Sequence, residues 1–77
     1  MTDREEIREA VAEILKHPRE HITDGVGLLE LVRESLILVE LVIEVQERFG
    51  ARFGHEDLRK VETFADLADL ILRTQMT

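Results

Sequence analysis

The chain of 77 residues contains no cysteine, no tryptophan and no tyrosine, only three phenylalanines, one proline and four glycines. Without cysteine there is neither a disulfide nor a thiolate metal site. A reducing compartment fits this composition but is not required by it. A chain this short buries only about 60% of its unfolded surface, so its core is marginal unless its elements pack very regularly. Regular helix packing is the device that remains. Basic residues are also scarce, 10 against 17 acidic, for a formal net charge of −7. Such a chain repels phosphate backbones and anionic membrane surfaces, and it attracts a basic protein surface. Long apolar runs are missing too: none approaches the roughly 18–20 residues that cross a bilayer. The charged start, Met1-Thr2-Asp3-Arg4-Glu5-Glu6, does not read as a secretory signal. One domain over residues 1–77, monomeric and cytoplasmic, is the expectation.

What is present is helical periodicity, with no repeat and no low-complexity tract. From Thr2 to Lys16, the apolar Ile7, Ala10, Val11, Ile14 and Leu15 share one helical face. Thr2 with Glu5 reads as a capping box, and Pro18 as the stop. Residues 18–34 show no sustained periodicity. Gly25 and Gly27 argue for loop, while Leu28, Leu29, Leu31 and Val32 argue that the second half packs down as a short helical turn. A connection this long is uncommon in a small domain and is often functional. Ser35–Phe49 is an uninterrupted helix with Gly50 as its stop. Gly54 precedes a short helix over His55–Val61, and Phe53 anchors the connection. Thr63, with Asp66 three residues on, caps a last helix to about Arg73 whose face is Phe64, Leu67, Ala68, Leu70 and Ile71. Gln75, Met76 and Thr77 should fray. The expected fold is all-α: a small antiparallel bundle of three main helices plus one short helix, with a long first loop.

At about 100° per residue, Leu38, Leu41, Val42, Val45 and Phe49 form the core arc of the Ser35–Phe49 helix. Glu40, Glu44 and Glu47 make an acidic ridge opposite, with Ile37 beside it. Like charges at this spacing cost a few tenths of a kcal/mol per pair, so a helix selected for stability alone would mix in lysine. Leu36, Val39 and Ile43 form a second apolar stripe outside the core arc. It either packs under the long loop or meets a partner or an apolar cargo.

Ser35 heads this helix. A serine there is commonly the N-cap; an exposed hydroxyl at the positive end of a helix dipole also tolerates an attached phosphate. A hydrolase reading fails, because Arg33 and Ile37 stand where a Gly-x-Ser-x-Gly elbow needs glycines. His17 and His21 have metal-ligand spacing, but Pro18 interrupts the helix between them and the donors are too few for a site. His17 is expected to interact with the end of the first helix, and His55 to begin the short helix, exposed.

Glu34-Ser35-Leu36 followed by Val39-Glu40-Leu41 resembles the Asp-Ser-Leu-x-x-Val-Glu-Leu signature of acyl carrier proteins. Val42 through Phe49-Gly50, Glu56-Asp57-Leu58 and Thr63-Phe64-Ala65-Asp66-Leu67 extend the resemblance over most of the chain. The resemblance implies that Ser35 accepts a 4′-phosphopantetheine arm from coenzyme A, whose thiol holds an acyl group as a thioester. It also implies a carrier that is not itself an enzyme. Leu36, Val39, Glu40, Ile43, Glu44 and Glu47 would then face partners. These would be a phosphopantetheinyl transferase and the acyl-transfer, condensing and modifying enzymes, each with basic residues around an apolar socket.

The chain departs from the family pattern at Glu34 in place of aspartate, at Val32 in place of glycine, and at Ile37 and Leu38 in place of polar residues. These departures suggest a carrier from a specialised, secondary pathway. A peptidyl or aminoacyl carrier stays open as an alternative, although the Gly-Gly-His-Ser pattern is missing. A non-carrier acidic helical module that binds a basic protein also stays open.

Overall fold

The computed structural model describes residues 2–75. Helix α1 spans Arg4–Leu15, α2 Leu28–Leu31, α3 Ser35–Phe49, α4 His55–Arg59 and α5 Phe64–Thr74, with a 3₁₀ turn at Arg19–His21. Strand-like pairing is limited, among the described residues, to two isolated antiparallel bridges, Gly27 with Thr63 and Ala51 with Gln75. The three long helices enclose one core in which Ile7 and Val11 of α1 meet Leu41 and Val45 of α3 and Phe64, Leu67, Ala68 and Ile71 of α5. The helical architecture therefore follows the periodicity, with α2 as an additional short helix inside the first loop.

The ends of α1 differ from expectation. Its cap is Asp3, whose carboxylate accepts the Glu6 N–H at 2.9 Å. A carboxylate there also interacts favourably with the positive end of the helix dipole, an advantage Thr2 lacks. Thr2 Oγ instead accepts from Gln75 Nε2 at 2.6 Å. At the other end Lys16 adopts the left-handed conformation (φ 56°, ψ 43°). The N–H groups of Lys16 and His17 then return to the carbonyls of Glu13 and Ala12. The helix is closed before the proline is reached, and Pro18 only introduces the 3₁₀ turn.

The long first loop is tied down at several points. Arg8 donates to the Ile22 carbonyl at 2.6 Å and to Asp24 at 2.7 Å, and its guanidinium lies 5.0 Å over the Phe64 ring. The Leu28 N–H bonds the Glu62 carbonyl and the Phe64 N–H bonds the Val26 carbonyl, both at 2.9 Å. The loop thus docks against α1 and the start of α5. Its second half packs down as expected, through Leu28, Leu31 and Val32, but Leu29 turns outward.

Gly50 closes α3 at φ 64°, a conformation that favours glycine. Helix α4 ends at Arg59, two residues short of the expected Val61. Thr63 and Asp66 form the expected box at the start of α5. Gln75 does not fray: its amide also donates to the Phe49 carbonyl at 2.9 Å. Met76 and Thr77 lie outside the described residues.

Candidate functional site

Ser35 is the first residue of α3, and Glu34, in extended backbone (φ −124°, ψ 139°), occupies the cap position. The cap role open to Ser35 is therefore corrected: the serine sits one residue too far in to serve it. Glu34 makes no side-chain cap bond either, so α3 starts uncapped where α1 and α5 are capped by Asp3 and Thr63. Ser35 is exposed. An exposed hydroxyl beside first-turn N–H groups without a side-chain acceptor is a setting that accepts a phosphodiester. The residues present fit a phosphopantetheine group on these grounds.

The rest of α3 separates as the helical wheel implies. Leu41, Val42 and Val45 are buried, with Leu38 and Phe49 partly so. Leu36, Val39 and Ile43 remain 63%, 52% and 51% exposed. The second stripe therefore does not lie under the long loop, which has docked against α1 and α5 instead. Glu40, Glu44 and Glu47 are all exposed and form no salt bridge with a described residue. The cations that do pair, Arg4, Arg8, Arg19 and Arg48, engage Glu5, Glu9, Glu13, Asp24 and Asp69. One face of α3 thus brings together Ser35, three apolar side chains and three unpaired carboxylates.

Two features of this region were missed by pattern. Leu29 of α2 is, among the described residues, the most exposed large apolar side chain, at 72%. Its leucine-rich surroundings suggest burial, and only the orientation of a four-residue helix decides which leucines turn in. The second is an apolar hollow of about 290 Å³ between α3 and α4. Leu38 and Val42 of α3, Leu58 of α4 and Val61 form its walls, and Val39 and Ile43 belong to the same lining. The outward stripe thus borders a half-open apolar hollow suited to an aliphatic chain. Gln46 and His55 are the polar members of the lining.

His55 begins α4 and is exposed, as expected. The backbone N–H of His17 closes α1, while its ring reaches a different helix, Nε2 lying 3.0 Å from the Leu31 carbonyl. The His17 and His21 rings meet edge to face at 6.5 Å. Among the described residues no group of three or more histidine, cysteine, aspartate or glutamate side chains is placed to hold a metal ion. No helix of the described residues is long and apolar enough to cross a membrane.

Comparison with known proteins agrees with this geometry. Residues 5–71 match the family model described as a phosphopantetheine attachment site. An acyl carrier protein of Rubrobacter xylanophilus is 33% identical over 95% of this chain and 96% of its own length. Acyl carrier proteins of Coprothermobacter proteolyticus and Brachyspira hyodysenteriae are each 35% identical. They cover 90% and 87% of this chain, and 90% and 88% of their own lengths. A helical chain with an accessible serine at the head of its longest helix, matched over nearly its whole length, belongs to the acyl carrier protein family with a covalently attached phosphopantetheine.

Proposed function

We propose that Ser35 is the attachment point, and that residues 1–77 act as one carrier domain that performs no chemistry of its own on the cargo. The observation that carries this reading is the exposed Ser35 hydroxyl at the uncapped start of α3. When bound, 4′-phosphopantetheine supplies a thiol that holds an acyl group as a thioester. The first-turn N–H groups of α3 and its dipole favour the negative phosphodiester joined to Ser35. Leu36, Val39 and Ile43 make the apolar contact with partners, and Glu40, Glu44 and Glu47 make the electrostatic one. The partners are a phosphopantetheinyl transferase and the enzymes that load, extend or modify the cargo, with lysine and arginine around an apolar socket. Encounter of this kind is fast and salt-sensitive, which suits a carrier that must leave each enzyme in turn. The departures at Val32, Glu34, Ile37 and Leu38 support a specialised, secondary pathway, and the carrier works as a monomer in the cytoplasm.

The test is intact mass after incubation with coenzyme A and a phosphopantetheinyl transferase of broad specificity. The expected gain is one phosphopantetheine, abolished in Ser35→Ala. No gain with several transferases would instead favour a non-carrier interaction module. An aminoacyl rather than acyl cargo would show in the mass of the protein isolated from its host.

A further inference from the structure

The bond from His17 to Leu31 differs from those that close turns, because it joins the end of α1 to the segment that leads into Ser35. Lys16, in its left-handed conformation, redirects the chain after α1. The partly buried His17 ring then sets Nε2 3.0 Å from the Leu31 carbonyl oxygen. A carbonyl only accepts, so Nε2 carries the proton, as it does in the imidazolium and in one neutral tautomer. Leu31 is the last residue of α2, and the last carbonyls of a helix have no helical donor. His17 supplies one. Leu31 and Val32 are buried, whereas Arg33 and Glu34 are exposed and make no side-chain bond to a described residue. A hollow of about 390 Å³ is lined by His17, Leu31, Val32, Glu34 and Ile37, among others. The histidine therefore shares one depression with residues on both sides of Ser35. The linker over this hollow is held at its start by the His17 bond and by the 3.2 Å bond from the Val32 N–H to the Leu28 carbonyl.

We propose that His17 is a positioning residue for the modification of Ser35. It fixes the exit of α2, and through the three-residue linker it fixes the start of α3 in the arrangement that a transferase engages. This rests on Ser35 being the attachment site. Without the His17 bond the linker samples more arrangements. Apparent affinity then falls with the competent fraction, which raises KM and leaves kcat unchanged. One hydrogen bond changes such an equilibrium by about threefold to tenfold, which caps the rise in KM.

The experiment measures initial rates of phosphopantetheine transfer from coenzyme A to the full chain, by intact mass, against carrier concentration and well below the melting temperature. Wild type and Ser35→Ala test the attachment reading alone; a wild type that gains no arm ends that reading and this inference with it. Given modification at Ser35, His17→Ala should raise KM, by up to about tenfold, at constant kcat. His17→Gln, which retains an N–H donor, should recover most of the loss. Amide exchange at Val32 should accelerate in His17→Ala while exchange at Val45 does not. An unchanged KM, a loss that glutamine does not recover, equal acceleration at Val45, or an unfolded His17→Ala would each overturn the proposal.

Discussion

Arg8 shows how much one side chain can hold. Its side chain is only 15% exposed, and it bonds a main-chain carbonyl and covers an aromatic ring, so it joins α1, the first loop and α5. Its ion pair with Asp24 contributes less, because the aspartate is half in solvent. The carbonyl bond and the ring contact dominate. Arg8→Ala should destabilise the fold by about 2 to 3 kcal/mol in urea unfolding. The orphaned, buried Nε of Arg8 keeps that figure from being larger. The ridge residues behave oppositely. Glu40→Lys with Glu44→Lys exchanges one like-charge pair for another, but it gives Glu47 an opposite charge at position 44 and reduces the magnitude of the net charge of −7, so the melting temperature should hold or rise. Transfer rates with partner enzymes should fall at low salt, and the difference from wild type should shrink as added salt screens both. Unchanged rates at low salt would remove these residues from the docking face.

Among the elements, α1 carries a local cost at its end. A non-glycine residue in the left-handed region is disfavoured by about 1–2 kcal/mol. Lys16 accepts this because its N–H and that of His17 close the helix. Lys16→Gly should raise stability by about 0.5–1 kcal/mol, the relief being partly offset by the greater freedom of glycine in the unfolded chain; thermal unfolding measures it. This end was not legible in the sequence, since Pro18 is the obvious punctuation and no rule marks a lysine as left-handed. The bounds of α3 were legible to the residue, because an apolar run without glycine or proline meets Gly50. So was the Thr63–Asp66 box. The start of α1 was displaced by one residue: Thr2 and Asp3 are both good caps, and Thr2 is engaged by Gln75, 73 positions away. Local pattern carries no trace of that contact.

At the scale of the whole molecule, acid should reveal which carboxylates matter to the fold. The bond from Arg19 holds Glu5 below its ordinary value, against a smaller opposing effect of burial. The bond from Arg8 does the same for Asp24. For Asp66 the main-chain N–H of Glu62 is the chief cause, followed by that of Thr63. A carboxyl depressed in the folded state contributes stability that is fully present above its unfolded pKa and is lost as pH falls through the folded one. Wild type should therefore lose this contribution below about pH 4. The difference between wild type and a variant at one of these carboxyls isolates its share. Asp66→Asn should be less stable than wild type at neutral pH, with the gap closing in acid, as read by urea unfolding at a series of pH values. The acidic ridge and outward stripe of the site were legible because a single helix contains them. The hollow was not, because its walls are shared among α2, α3, α4 and α5, and no pattern along one helix shows that Leu28, Leu38, Val42, Leu58 and Leu67 border a common space.

Leu29 stands largely in solvent on α2, in a chain without tryptophan or tyrosine. An indole placed there by Leu29→Trp would be the sole strong ultraviolet emitter of the protein. Its colour in the free carrier would be that of a water-bathed fluorophore, and a blue shift on mixing would time the arrival of any enzyme whose footprint extends beyond α3 to this leucine.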